Sequence, residues 1–300
     1  MARDPKWRSG RSLLRADLRA DRLSAALIGI PTFASSITPR SEVSTPAAIR
    51  AALERFATFS WKDDLDLAEL VDVVDYGDVP DPDGAAGGVR VRQHLERVDP
   101  RCGLLIALGG DNAMTFSALS ALAGSSLDTW GLITLDAHLD LRDGESNGSP
   151  VRQLLEAGLD GGHVVQIGLA DFSNSAAYAQ DARKAGITVL ARWELRDQPL
   201  EVSVARALEV AGRGGRPIYV DIDLDVADQA SVPGCPAAAP GGLSSDEVRQ
   251  AARLLARDQR VRALDVTEID VARDTDDQRT VRLAALVVLE MLAGFAGRHR

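Results

Sequence analysis

The chain has 300 residues, of which 45% are apolar and 26% charged, and no apolar run approaches the roughly 18–20 residues that a membrane-spanning helix needs. A formal net charge of −10 disfavours nucleic acid or an anionic membrane as a partner, because those surfaces attract concentrated positive charge. Two cysteines are too few for a disulfide framework and no signal peptide is evident, so we expect a cytoplasmic globular protein.

In chain order, the sequence predicts an N-terminal arm or helix over residues 1–24, followed by a single domain over residues 25–300. Eight short apolar, β-branched runs in this domain predict strands. Their cores are Ala26–Ile30, Val71–Asp75, Leu104–Leu108, Leu132–Asp136, Val164–Gly168, Ile187–Leu190, Pro217–Ile222 and Val261–Val266. Helical spacing predicts helices over Pro46–Phe56, Pro150–Gly158, Ala176–Ala185, Glu201–Ala211, Ser245–Ala256 and Thr280–Ala293.

Local signals support three of these helix ends. Pro46 suits a first helical turn, and Gly158 suits the C′ position after a helix. Ser244 and Ser245 precede Glu247, which suits a capped helix start. The predicted helix boundaries therefore agree with the capping chemistry.

Alternating strands and helices predict a mostly parallel sheet covered by helices. The same alternation describes a closed barrel and an open doubly wound sheet, so periodicity alone leaves both architectures possible. In either one, ligands bind at the carboxyl ends of the strands. Four predicted strands end in polar segments, namely GGDN (109–112), DAHLD (136–140), DIDLD (221–225) and DVTEID (265–270).

The DAHLD segment predicts a metal site. If the strand stays extended to its end, Asp136, His138 and Asp140 alternate and point the same way. Carboxylates with one imidazole suit a divalent ion such as manganese better than copper or thiolate-bound zinc. A hydrogen-bonded polar network around His138 is the alternative interpretation.

The DIDLD segment repeats this alternation with Asp221, Asp223 and Asp225. Three like charges on one face would repel one another unless a cation or protons neutralise them. A loop-capping or calcium-type cluster is the alternative, but the EF-hand arrangement is missing. For the other two strand ends a turn former or a helix N-cap is the simpler interpretation of a single residue, such as Asp111 or Asn112.

Taken together, these motifs resemble the ureohydrolase family of arginase, agmatinase and formimidoylglutamase. The resemblance runs from PAAIR (46–50) to the C-terminal helix, through GGDNAMT, LDAHLDLR, SNGSPVRQLLE, VVQIGLADFSNS, DLDVADQASVPGCPAAAPGGLS and DVTEID in the family's order. It implies an open three-layer α/β/α sandwich with an eight-stranded parallel sheet, and a catalytic domain that binds two manganese ions.

The resemblance also implies a ligand set. It places Asp136 and Asp223 between the two ions, Asp140 at one ion, and His138 and Asp225 at the other. Asp221 stands where many relatives have serine, so it is expected behind the ligands. The remaining ligand position is Asn112.

Two departures from the family pattern replace histidine by asparagine. Asn112 stands where arginase and agmatinase place a metal-binding histidine, and Asn147 stands in the segment that is HGxP in guanidine hydrolases. An amide oxygen is a poorer ligand than imidazole, so the site containing Asn112 is expected to be weak or empty. Both asparagines, with the PGCPA segment, resemble the formimidoylglutamase branch.

This branch implies hydrolysis of N-formimidoyl-L-glutamate to L-glutamate and formamide. By the same analogy, Asp140 moves a proton from the attacking water to the leaving nitrogen, and Glu268 faces the cationic C–N group. Arg142 is a candidate clamp for a substrate carboxylate, since guanidinium binds carboxylate bidentately. Asn147 is a further candidate substrate contact.

Three alternatives stay open at this point. An agmatinase or other guanidine hydrolase would use the same metal site, but would be expected to keep histidine at positions 112 and 147. A deacylase-like enzyme could use one metal held by Asp136, His138 and Asp225. A non-catalytic sensor or assembly subunit on the same scaffold predicts no manganese-dependent turnover. The resemblance further implies a small-molecule substrate and a homo-oligomer.

Overall fold

The computed structural model describes residues 4, 6–15, 22–40 and 44–299. Nine strands form one parallel sheet in the spatial order β1-β5-β2-β6-β11-β10-β7-β8-β9. A small antiparallel pair, β3 with β4, lies outside it. The strands are β1 Leu14–Arg15, β2 Leu23–Ile30, β3 Phe59–Ser60, β4 Leu65–Asp66, β5 Val71–Asp78, β6 Leu104–Gly109, β7 Gly131–Leu135, β8 Val164–Ile167, β9 Thr188–Leu190, β10 Ile218–Ile222 and β11 Val261–Val266.

The parallel sheet contains all eight predicted strands and one more. The addition is β1, whose residues Leu14 and Arg15 pair with Val73 and Val74 of β5 at the sheet edge. Two residues are too few to produce a recognisable alternation of apolar and polar positions, so the sequence pattern does not predict this strand.

Nine α-helices are described. They are α1 Thr45–Ala52, α2 Leu67–Leu70, α3 Gly84–Leu95, α4 Ala113–Ala123, α5 Pro150–Glu156, α6 Ala176–Ala185, α7 Leu200–Ala211, α8 Ser245–Arg257 and α9 Arg279–Ala296. The six predicted helices are present, and α2, α3 and α4 are additional. None of the helices in the described ranges combines the length and apolar character needed to cross a bilayer.

The predicted helix caps are confirmed. The Ser244 side chain accepts the Glu247 N–H at 3.2 Å, and the Glu247 carboxylate accepts the Ser244 N–H at 2.7 Å. Pro46 lies in the first turn of α1, and Gly158 follows the C-cap of α5 with φ +112°. These contacts satisfy backbone groups that a helix end leaves without an intrahelical partner.

The sheet separates two apolar layers, which accounts for strands that are apolar on both faces. Leu27, Ile106 and Val220 belong to the layer that includes residues of α1, α7, α8 and α9. Ile28 and Tyr219 belong to the opposite layer, with residues of α3, α4, α5 and α6. The fold is therefore the expected three-layer α/β/α sandwich, an open sheet and no closed barrel.

The chain order places four polar strand ends side by side. After β6 the chain passes through α4 to β7, and the two positions between these strands are later filled by β11 and β10. The pairs Ile222 with Leu135 and Val266 with Leu108 bring the carboxyl ends to the same edge. Such a crossover point of an open α/β sheet is where ligands bind.

The predicted N-terminal arm is described only in part. Gly10–Leu13 forms a 3-10 turn that leads into β1, whereas residues 1–3, 5 and 16–21 lie outside the described ranges. The predicted boundary after residue 24 therefore stays a prediction.

Candidate metal centre and active site

Asp136, His138 and Asp225 converge at the centre of this edge. One ligand atom of each lies within 4.8 Å of the others, an arrangement that could hold a metal ion. His138 Nδ1 is 2.7 Å from Asp225 Oδ2 and 3.5 Å from Asp136 Oδ1. The two acidic segments, far apart in the sequence, thus form one cluster of possible ligands.

The DAHLD residues converge through a turn, which corrects the predicted extended strand end. β7 stops at Leu135, and the Asp136 carboxylate accepts the N–H of His138 at 2.6 Å, the contact of an Asx turn. Asp140 has a left-handed backbone with φ +52°. The turn, rather than alternation along a strand, brings these side chains toward one another.

The DIDLD residues also leave the strand earlier than predicted. β10 ends at Ile222, and Asp223 caps a 3-10 turn by accepting the N–H of Asp225 at 2.8 Å. Asp225 in turn accepts the N–H of Ala137 at 3.0 Å, which joins the two segments. Asp221 alone stays in the strand, so the three carboxylates do not share one strand face.

The buried carboxylates of this cluster favour a bound proton or cation. Burial raises the pKa of Asp136 and Asp223 well above the usual range, and neighbouring carboxylates, Asp225 among them, raise both values further. The pKa of Asp140 is raised to about 7, also chiefly by burial. Burial lowers the pKa of His138, but the hydrogen bond and charge of Asp225 outweigh it and raise the value to about 9.

The donor set fits a divalent cation. Asp136 Oδ2 and Asp221 Oδ2 are buried and have no hydrogen-bond partner among the described residues. Orphaned carboxylate oxygens cost free energy unless a proton or cation meets them. Several carboxylates with one imidazole are the ligands that manganese accepts readily.

Asn112 connects the cluster to the end of β11. Its Nδ2 donates to Asp140 at 2.6 Å, and its Oδ1 accepts the hydroxyls of Thr115 at 2.9 Å and Thr267 at 3.2 Å. Its backbone N–H donates to Glu268 at 2.9 Å. The amide oxygen thus faces hydroxyl donors, and a ligand role for Asn112 stays a prediction.

Glu268 is buried at the end of β11 with φ +62°. Its Oε1 accepts the backbone N–H of Asn112 and Nδ2 of Asn147, the latter at 2.8 Å. Its Oε2 is paired with the guanidinium of Arg40. Asn147 also accepts the N–H of Ile37 at 2.9 Å, so it links the loop after β2 to Glu268.

Comparison with known proteins identifies the family of this chain. The family model described as "Arginase family" matches residues 23–294. The chain belongs to the arginase family. A formimidoylglutamase from Halalkalibacterium halodurans is 38% identical over 277 residues, covering 89% of this chain and 86% of the relative. An agmatinase from Bacillus subtilis is more distant, at 28% identity with 96% and 97% covered.

Solved structures of the arginase family share the fold. The crystal structure of Bacillus subtilis formimidoylglutamase has a TM-score of 0.89 and 31% identity, covering 99% of this chain and 94% of that chain. A formiminoglutamase from Trypanosoma cruzi, solved with Mn2+, has a TM-score of 0.87 and covers 98% and 100%. It is 23% identical, so its likeness shows the fold alone.

The predicted residues of this arginase-family site differ in how far they are exposed to solvent. Those beyond β6, β7, β10 and β11 form the buried centre. Arg142, the predicted carboxylate clamp, is exposed, and its charge lowers the pKa of nearby His138. Its role stays a prediction.

A buried network behind the ligands was not predicted. The Tyr219 hydroxyl donates to Asp265 Oδ2 at 2.6 Å, and Thr115 Oγ1 lies 3.0 Å from the same oxygen. Thr267 contacts both Asn112 and Asp221. The sequence feature that could have indicated this network is the threonine within each of the GGDNAMT and DVTEID motifs.

Proposed function

We propose that this chain is a formimidoylglutamase, which hydrolyses N-formimidoyl-L-glutamate to L-glutamate and formamide. The observation that carries the proposal is the pair of asparagine side chains in the site, with Asn112 Nδ2 donating to Asp140 and Asn147 Nδ2 donating to Glu268. Both positions hold histidine in the guanidine hydrolase pattern, and both asparagines resemble the formimidoylglutamase branch. The 38% identity to a formimidoylglutamase supports the same conclusion.

The proposed cofactor is manganese, with two ions per chain. Asp136, His138, Asp140, Asp223 and Asp225 would hold them, with Asn112 at the weaker site. When bound, a divalent cation supplies positive charge to the carboxylates and lowers the pKa of water enough to give hydroxide near neutral pH. The donor types, several carboxylates with one imidazole, support this choice.

Glu268 is positioned to bind the cationic formimino group of the substrate. Two N–H donors fix its Oε1, so the carboxylate has one orientation before substrate arrives. A fixed negative charge stabilises positive charge on the amidinium more than a mobile one would, because no reorganisation is needed. Glu268 thereby orients the carbon that water attacks.

Asp140 is the proposed proton carrier. Its carboxylate accepts the Asn112 Nδ2–H at 2.6 Å and lies beside His138. By analogy with the family, this carboxylate accepts a proton from the attacking water and donates it to the nitrogen that leaves as the amine of glutamate. The water oxygen joins the formimino carbon, the bond from that carbon to the glutamate nitrogen breaks, and formamide is the second product.

The deciding experiment incubates manganese-loaded protein separately with N-formimidoyl-L-glutamate, agmatine and arginine, and measures formamide and urea. We expect formamide from the first substrate, with kcat/KM for agmatine lower by a factor of ~100 or more, which is ~2.8 kcal/mol at ~1.4 kcal/mol per tenfold change. Urea from agmatine without formamide would assign a guanidine hydrolase instead. No turnover of any of the three would favour a non-catalytic subunit.

We further propose that the protein acts on a small molecule, without nucleic acid or membrane as partner, in the cytoplasm as a homo-oligomer. Trp61, with 88% of its surface exposed, and Phe59, with 41%, form an edge-to-face pair on the surface. Exposed aromatic pairs are favoured at protein interfaces. Sedimentation of the protein and of a Trp61→Ser variant over a dilution series tests this: we expect the variant to dissociate at a higher protein concentration than wild type.

A further inference from the structure

Arg40 is buried against the acidic residue of the active site. The side chains of Arg40 and Glu268 are 2% and 3% exposed, and the guanidinium pairs with Glu268 Oε2. Arg40 also donates to the carbonyl of Ile269 at 3.3 Å, whereas its Nε has no hydrogen-bond partner among the described residues. The buried guanidinium of Arg40 therefore pairs with Oε2 of Glu268, whereas Oε1 is held by the N–H groups of Asn112 and Asn147.

This pairing conflicts with the proposed role of Glu268. The amidinium of the substrate carries the same kind of charge as the guanidinium of Arg40, and Oε1 already accepts two N–H groups. A cationic substrate must therefore displace Arg40 from Oε2 before it can pair with Glu268. A displaced, buried guanidinium without an anion is strongly unfavourable.

The structure leaves space for Arg40 to find another partner. Arg40 lines a cavity of about 320 Å³ together with Thr32, Thr45, Gly110 and Ile269. Asp81 and Asp270 also line it, and Asp270 lies 3.3 Å from Arg273. Among the described residues that line this cavity Arg40 is the only cation, so a carboxylate that enters must pair with its guanidinium and stay apart from Asp81 and Asp270.

We propose that Arg40 is a specificity residue that exchanges partners when substrate binds. The amidinium of the substrate takes Glu268, and a carboxylate of the same substrate takes Arg40. A substrate with both charges satisfies both residues. A cation without a carboxylate leaves Arg40 with no partner from the substrate and only the cavity carboxylates Asp81 and Asp270, the second of which lies 3.3 Å from Arg273. The inference rests on the proposed function and predicts that a formimino amino acid is preferred over a simple cationic amine derivative.

Kinetics with two substrates test the exchange. Wild type, Arg40→Met, Arg40→Lys and the surface control Arg101→Met are assayed with N-formimidoyl-L-glutamate and with N-butylformamidine, which has the amidinium but no carboxylate. For Arg40→Met we expect kcat/KM for formimidoylglutamate to fall about 100-fold, mainly through KM, as for loss of one partner of a buried charge pair. The value for N-butylformamidine does not fall, Arg40→Lys recovers part of the loss, and Arg101→Met matches wild type.

Other kinetic outcomes would overturn the inference. An equal loss with both substrates would mean that Arg40 only holds Glu268 in place. Unchanged kinetics in Arg40→Met would mean that Glu268 binds the amidinium without any exchange of partners.

Calorimetric binding of L-glutamate to the manganese-loaded proteins makes the same comparison without turnover. We expect weaker binding to Arg40→Met than to wild type, and equal affinity in the two proteins would contradict the proposal. Inactivity of wild type on formimidoylglutamate would instead reject the proposed function, and glutamate binding would still decide the role of Arg40.

Discussion

Asn112 joins the carboxylates of the candidate metal centre to Glu268. Its side chain contacts Asp140, Thr115 and Thr267, while its backbone N–H contacts Glu268. One residue therefore touches both Asp140, the proposed proton carrier, and Glu268, which we propose binds the amidinium. A histidine here would offer a ring nitrogen in place of an amide.

Asn112→His should strengthen manganese binding. Imidazole is a better ligand than an amide oxygen for this ion, and we expect the affinity of the weaker ion to rise by about tenfold, or ~1.4 kcal/mol. Titration of the metal-free protein with Mn2+ measures the change. The matched control is Asn147→His, which replaces the other asparagine and should leave manganese affinity unchanged. Equal or weaker binding in Asn112→His would contradict the assignment of position 112 to the metal centre.

The residues of the metal cluster were predictable because they are close together within two short motifs. Asp136, His138 and Asp225 were identified from spacing and from the family resemblance, and they do converge. Arg40 could not be predicted in this way, since it lies 228 positions from Glu268 in the sequence and belongs to no motif. Only the folded chain shows that the two residues meet.

At the scale of elements, the crossover from β6 to β7 creates the site. It leaves room for β10 and β11, so four polar strand ends become neighbours. The convergence was predicted correctly, but the extended strand ends were wrong. Turns stabilised by carboxylate-to-N–H hydrogen bonds replace them, because aspartate competes with the strand for backbone donors.

Gly110 is the contact point between the ends of β6 and β2. A Cβ at this position would lie 2.2 Å from the carbonyl oxygen of Thr32. We expect Gly110→Ala to lower the free energy of unfolding by about 1–3 kcal/mol, as overpacking usually does. It should also reduce formamide release, because the loop after β2 carries Arg40.

Gly88 in α3 provides the matched control for this change. A Cβ there meets no atom within 4 Å, so Gly88→Ala should stabilise the helix by about 0.5–1 kcal/mol. Urea denaturation of both variants measures the difference. If the two substitutions had the same effect on stability, close packing at Gly110 would not be what positions the loop.

The helices α3 and α4 were missed because the periodicity of apolar residues does not mark either of them. α4 has the sequence AMTFSALSALA, which is largely apolar and has little polar face to mark a helix. α3 begins GAAGG, a composition that favours a loop when read alone. Tertiary packing, rather than local pattern, decides the conformation of both segments.

Over the whole molecule, the metal centre makes stability depend on pH. Burial raises the pKa of Asp140 and Asp111 to about 7 and that of Asp265 to about 6, from an ordinary value of 3.8. Between pH ~4 and ~7 these carboxyls bind more protons in the folded than in the unfolded chain, so the free energy of unfolding falls as pH rises. In the proposed metal-loaded protein, manganese would take over this neutralising role at Asp140.

We therefore expect the Tm of metal-free protein to fall from about pH 5 to about pH 8, and added Mn2+ to raise the Tm more at the higher pH. Scanning calorimetry of chelator-treated protein, with and without Mn2+, measures both trends. A metal-free protein whose Tm rises across this range would mean that the buried carboxylates are neutralised in some other way.

Replacement of Asp223 tests most directly whether the proposed metal centre is required for the proposed reaction. Asp223 is buried in the cluster, whereas Asp228 lies in the following loop and accepts the N–H groups of Ala230 and Gly241. Replacing each by asparagine removes one negative charge and keeps a hydrogen-bond acceptor. Manganese content and formamide release from N-formimidoyl-L-glutamate are then measured on the same samples. We expect Asp223→Asn to lose both and Asp228→Asn to keep both. An Asp223→Asn protein that retains its manganese and its activity would contradict this expectation.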